Sequence, residues 1–242
     1  MINQVMFFKN GILQSVKRKN SLFVFILLII SNTFLLSQIL TAQQSPDVSS
    51  ASAAYQKMLD AVLNSPPRDI QNVLQNAWEG SELTIIEKGK LFETVMKLSF
   101  DYKPKDHLES SVADNIRLMC IRKFSDLKWA EATGLVITYL DRLTSYKNTI
   151  PVKNQMIEAI NCLGSLNTHE AALRLNMFLE VTNNFAQNGF TYDNDIVFAV
   201  IRNLGRIGDI TAFENLSSVK NYSYPPEIIR EAEISLSKLK AR

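Results

Sequence analysis

The chain has 242 residues, with 26 Lys and Arg, 24 Asp and Glu, and two cysteines. Residues 1–42 hold four of the bases and no acid, so the rest of the chain carries 22 bases against 24 acids. That balance argues against a nucleic-acid partner, whose binder normally shows a basic stripe, and two cysteines are too few for a disulfide-stapled miniature domain.

The N-terminal segment reads as a targeting element. Lys9, Lys17, Arg18 and Lys19 precede an unbroken apolar run over 22–30, followed by a more polar stretch over 31–41 and then Ala42. One reading is a signal peptide over 1–42, with Ala42 the small residue before the cut. The other is an uncleaved anchor over 21–40, close to the roughly 20 residues that span a bilayer, although Asn32 and Gln38 count against it. Under both, the remainder is exported: periplasmic or secreted if cleaved, held at the inner membrane facing the periplasm if not. No cysteine lies near Ala42, against a lipoprotein anchor. Membrane contact is expected only through this segment.

Residues 43–54 are small and polar, the composition of a flexible tether. A helical domain is expected over 55–242. Its predicted helices are 55–63, 68–78, 83–100, 112–123, 128–143, 152–163, 168–183, 195–206, 210–220 and 227–240. Pro66 and Pro67 start the second of these, where a missing N–H costs nothing. The predicted linker over 183–194 is longer than most helix connections; its aromatics either fold back on the domain or reach a partner.

One pattern recurs with a period near 40. Ile160, Leu163, Gly164, Leu166 and Ala171 lie under Ile201, Leu204, Gly205, Ile207 and Ala212, 41 residues on, and Leu175 continues onto Leu216. Ile121, Phe124, Leu127, Ala132, Val136 and Leu140 form a weaker copy 39 residues earlier. Such self-similarity marks an all-α solenoid whose helix pairs bury their apolar faces only against their neighbours. Repeats are expected at about 68–100, 112–143, 152–183 and 195–220, with a capping helix over 226–241. Gly164 and Gly205 are read as left-handed residues ending the first helix of a pair, Leu166 and Ile207 as plugs inside the turn, and Thr168 and Asp209 as caps of the second helix. Ala171 and Ala212 are small where that helix crosses the first. In the weaker copy Ser125 replaces the glycine and Trp129 stands near the cap, which leaves its turn geometry open.

These residues resemble the HEAT family of helical repeats, and the turn from Leu204 to Ala212 is similar to those of its bacterial members. The resemblance is good over about 110–220 and weak over 68–100. It implies a right-handed stack of three to four antiparallel helix pairs, with second helices commonly lining a concave binding face. It specifies a fold better than a function.

Enzyme signatures are missing from the sequence. His169-Glu170 is followed by Leu173 where a zincin needs its second histidine, and His107 falls in a predicted linker. His169 is expected to be exposed in a helix's first turn. No catalytic residue, metal ligand or cofactor site is expected. Cys120 matches Ala159 in register, three residues before Cys162, so the cysteines are read either as two buried thiols or as a disulfide across adjacent first helices.

Aromatic residues follow the second helices: Tyr102 with Lys103, Tyr146 with Lys147, Phe190 with Tyr192, and Tyr222 with Tyr224. In a solenoid these linkers share an edge, and tyrosine suits recognition because it offers an apolar face and a polar tip. The alternative is that each ring packs locally on the next helix. Lys103, Lys147 and Lys220 give the edge a mild positive character. The sequence therefore points to a non-catalytic scaffold or adaptor that binds a protein or peptide in the bacterial envelope. Two alternatives stay open: a structural subunit that docks by its final helix, at Ile228 and Ile229, and more remotely an accessory protein for cofactor or chromophore attachment.

Overall fold

Helix caps set the architecture, and several of them move the expected boundaries. The computed structural model describes residues 52–145 and 149–239, and among these every regular element is helical. In chain order the α-helices are α1 (Ala53–Asn64), α2 (Pro67–Glu79), α3 (Ile85–Asp101), α4 (His107–Leu127), α5 (Thr133–Thr144), α6 (Ile150–Leu166), α7 (His169–Gln187), α8 (Asn194–Ile207), α9 (Phe213–Ser218) and α10 (Pro226–Leu236). No helix among the described residues is long and apolar enough to cross a membrane. The targeting segment and most of the tether lie outside the described residues. Of the tether's last residues, Ser52 is the N-cap of α1, its hydroxyl accepting the Tyr55 N–H, and Ala53 and Ala54 are already helical.

Thr84 and Glu87 form a reciprocal capping box at α3: the Thr84 hydroxyl accepts the Glu87 N–H, and the Glu87 carboxylate accepts the Thr84 N–H. Asp106 accepts the Glu109 N–H, so α4 starts five residues before the predicted 112 and His107 is its first residue rather than part of a linker. The second helices beginning at 128 and 210 are corrected too. Each opens with a 3₁₀ turn, Ala130–Ala132 or Ile210–Ala212, and the last one breaks up again at Val219–Asn221. Helix α7 continues to Gln187, which shortens the expected long linker, and α10 ends at Leu236.

The glycine reading needs the largest correction. Gly164 and Gly205 are inside α6 and α8, and the left-handed residues come three positions later, at Asn167 (φ 56°) and Gly208 (φ 69°). Lys128 (φ 52°) holds the matching place in the weaker copy, so its turn keeps the same geometry without a glycine. Leu166 and Ile207 are accordingly the last residues of their helices rather than turn residues, though both are buried. What the two glycines provide is room. A β-carbon on Gly164 would lie 2.5 Å from Asn203 Cγ, and one on Gly205 would lie 2.6 Å from Ser235 Cβ. Since Asn203 and Ser235 belong to the next first helix in each case, glycine lets α6 meet α8, and α8 meet α10, at close range.

The same partners recur along the chain. The first helices α2, α4, α6, α8 and α10 each pack on the next, while α3, α5, α7 and α9 pack beside them. Phe92, Phe124, Leu140, Leu163, Leu175, Leu179 and Leu204 are fully buried between them, each such side chain contributing roughly 1.5–3 kcal/mol of burial. Ala171 and Ala212 are also fully buried. Thr168 caps α7 through the Ala171 N–H, and Asp209 accepts the Thr211 N–H, as their positions in the repeat imply.

Candidate functional site

The edge aromatics occupy three different settings. Tyr102 ends α3 and donates its hydroxyl to Glu109 Oε2 at 2.7 Å, in the first turn of α4. That bond raises the phenol above its ordinary pKa. Glu109 is lowered by the Lys105 N–H and then by Tyr102. Lys103 beside it is exposed. Tyr146 and Lys147 lie outside the described residues.

Beyond α7 the aromatics gather. Tyr192 and Tyr224 have ring centroids 4.9 Å apart, and Tyr222 meets Tyr224 edge-on at 6.4 Å. Tyr224 is buried and donates to Asn183 Oδ1 at 2.9 Å; Tyr192 donates to the Ser223 carbonyl at 3.1 Å. Asn183, itself buried, donates to the Asn215 carbonyl and Ser218 Oγ. These three tyrosines therefore lock the end of α7 to the segment entering α10. Phe190 folds back edge-on to Phe185 at 6.1 Å but stays 62% exposed.

Next to this cluster is a groove of about 380 Å³ between α7 and the start of α8, walled by Met156, Phe178, Val181, Phe185, Tyr192 and Ile196. Its charged rim is paired internally. The Arg174 guanidinium holds Asp141, and Lys153 Nζ lies 3.0 Å from Asp193 Oδ2. Burial opposes the Asp193 carboxylate, yet Lys153 and the Ile196 N–H keep its pKa below the ordinary value. With the rim paired, the groove is lined mainly by apolar side chains, with Thr144, Thr182 and Thr191 among them.

The groove opens onto a feature that sequence reasoning missed. Leu173, Met177, Val181 and Phe185 follow one another at every fourth residue of α7 and are all exposed, Met177 at 58% and Val181 at 52%. The buried stripe of the same helix runs through Ala171, Ala172, Leu175 and Leu179. The signal was present in the sequence: apolar residues at 173, 175, 177, 179 and 181 cannot all share one face of a helix.

Two titratable clusters elsewhere have structural roles. His169 is exposed in the first turn of α7, with Nδ1 2.7 Å from Asp209 Oδ2 in the next turn of the repeat. The other Asp209 oxygen accepts the Thr211 N–H and hydroxyl. Burial works against that carboxylate, but His169 and Thr211 hold it below its ordinary pKa. Cys120 and Cys162 are free and buried, not bridged. Burial raises both thiols, Cys162 up to about 12 and Cys120 further, so neither supplies a thiolate at neutral pH.

No family model, curated protein or solved structure matches this chain.

Proposed function

We propose that this chain is a non-catalytic, HEAT-like α-solenoid that serves as a scaffold or adaptor in the bacterial envelope, holding a protein partner through an apolar anchor seated in the α7–α8 groove. One observation carries the reading: four large apolar side chains stay exposed in line on α7, and the last two, Val181 and Phe185, also wall a largely apolar groove whose charged rim is paired within the chain. Contiguous exposed apolar surface of this kind is costly in water and marks interaction sites. Phe190 and Tyr192 stand at its border, so part of the expected aromatic edge belongs to the same surface. Export rests on the basic, acid-free N-terminal segment and its apolar run.

The solenoid reading is supported by the register of equivalent contacts, Gly164 with Asn203 and Gly205 with Ser235. These contacts bring first helices together, which favours the first helices as the inner layer of a curved stack. The HEAT resemblance implies second helices there instead. The apolar stripe then belongs to the outer layer.

The test is cross-linked capture from envelope fractions by the native chain and by Val181→Asp/Phe185→Asp. Both side chains are exposed, so the variant should fold. A partner held by the native chain and lost by the variant supports the reading. Equal capture by both overturns it; the structural-subunit alternative is weakened already, because Ile228 of α10 is fully buried in the core and Ile229 is half-buried rather than presented for docking.

A further inference from the structure

At the other end of α8 the surface changes character. A cavity of about 880 Å³ opens where α6 and α8 end, and its walls include Arg202, Arg206, Lys238, Asn161, Asn167 and Asn203, with no acid among its lining residues. Among the described residues none of the three cations forms an ion pair. Arg206 Nη2 is oriented by a 3.1 Å bond to Ser165 Oγ. Asn203 is anchored by donating to Asn161 Oδ1 and the Ala199 carbonyl.

From this arrangement we infer a second interaction surface, one that takes a short acidic segment of a protein. Helix ends do not account for the cations. Asn167, Gly208 and Ser237 terminate α6, α8 and α10 here, and each C-terminus brings only about half a negative charge. Three full positive charges outweigh those three ends by roughly one and a half charges. The cavity also runs against the balance of the chain after residue 42, where acids outnumber bases. A long polyanion would meet that acidic remainder, whereas a short acidic segment needs only the cavity.

Spacing favours a peptide over a compact anion. Arg202 and Arg206 are one turn apart on α8, and residues so placed have β-carbons about 5–6 Å apart. That separation suits two carboxylates on one side of a peptide segment, each able to take a guanidinium in a bidentate pair. The amides of Asn161 and Asn167 extend the polar wall with groups able to bond a peptide backbone. This surface is at the opposite end of α8 from the apolar groove and does not depend on it, so either can fail alone.

The experiment is fluorescence anisotropy of a labelled peptide carrying six glutamates between glycines, titrated with the purified full chain at 50 and 200 mM salt. A matched lysine peptide and inorganic phosphate serve as comparison probes. Binding of the glutamate peptide, weakened at least tenfold by Arg202→Glu/Arg206→Glu and by the higher salt, and unchanged by the exposed Lys57→Glu, supports the inference. Circular dichroism confirms that the variants fold, and Lys238→Glu gives an independent variant outside α8. Equal binding by the charge-reversed variants overturns the proposal, as does no binding by the native chain or equal binding of the lysine peptide. Phosphate bound in the absence of peptide binding identifies a small-anion site and also overturns it.

Discussion

Asn203 Cγ lies 2.5 Å from the point where a β-carbon on Gly164 would stand, so the contact between α6 and α8 admits no side chain at that position. Alanine at 164 would gain up to about 1 kcal/mol of helix propensity. It would also force the buried Asn203 off its bonds to Asn161 and Ala199, and overpacking of this kind costs about 1–3 kcal/mol. Gly164→Ala should therefore destabilise the chain in urea unfolding. Gly134→Ala, whose β-carbon would meet nothing nearer than Glu170 Oε1 at 4.0 Å, should be neutral or mildly stabilising. Equal effects at the two sites would contradict the packing account.

The same glycine shows what the sequence made legible and what it did not. Its recurrence 41 residues on identified the repeat, and the helices that follow from it are present. Its role was misread because glycine near a helix end suits both a left-handed cap and a close crossing. Only the neighbouring helix decides between them. Asp106 and Ser52 are capping residues by type, and their bonds to the Glu109 and Tyr55 N–H groups set the starts of α4 and α1. The edge tyrosines were correctly spaced, but spacing says nothing of burial: Tyr224 is a core residue, Phe190 is exposed. The α7 stripe carries no repeat signal: Leu173, Met177, Val181 and Phe185 lie off the buried face of Ala171, Leu175 and Leu179, which is the face the repeat pattern marks.

Tyr224 should be the origin of a stability loss at high pH. Burial holds its phenol above the ordinary value of 10. A raised folded-state pKa means that the stabilisation is complete below pH 10 and is lost as pH rises toward and through the folded value. Tyr224→Phe should flatten that limb in urea unfolding carried out across the alkaline range. At neutral pH the variant should cost about 1–3 kcal/mol, because the buried Asn183 carbonyl oxygen loses its donor.

An acid limb is expected from the other end of the domain. Glu87 is lowered from 4.5 to about 2 by Ser52 first and then by Thr84. A depressed carboxylate stabilises the fold above its unfolded pKa and loses that contribution as pH falls from about 4.5 through about 2. Glu87→Gln should reduce the slope of stability against pH in this window and leave the alkaline side unchanged. An unaltered acid slope would mean that the capping box frays in solution.

The cysteines give a chemical check on the core. Both are free and buried, with thiols shifted away from ionisation. A thiol reagent at pH 8 should label neither in the folded chain, and both in denaturant without a reductant. Failure to label in denaturant would show a disulfide. Fast labelling of the folded chain would show that α4 and α6 open readily.

Two aliphatic truncations separate the apolar residues that build the domain from those left over for a partner. Leu204 on α8 is fully buried, whereas Val181 on α7 is 52% exposed. Leu204→Ala should leave a cavity among the first helices and cost about 2–5 kcal/mol in urea unfolding. Val181→Ala removes side chain already largely in water, so its effect should stay within about 0.5 kcal/mol, as for ordinary surface substitutions. The order should reverse in partner capture at temperatures where both variants are folded: Val181→Ala weakens it and Leu204→Ala does not. If Val181→Ala instead destabilised as strongly as Leu204→Ala, the α7 stripe would have to be covered within the chain itself, and its surface would not be available to a partner.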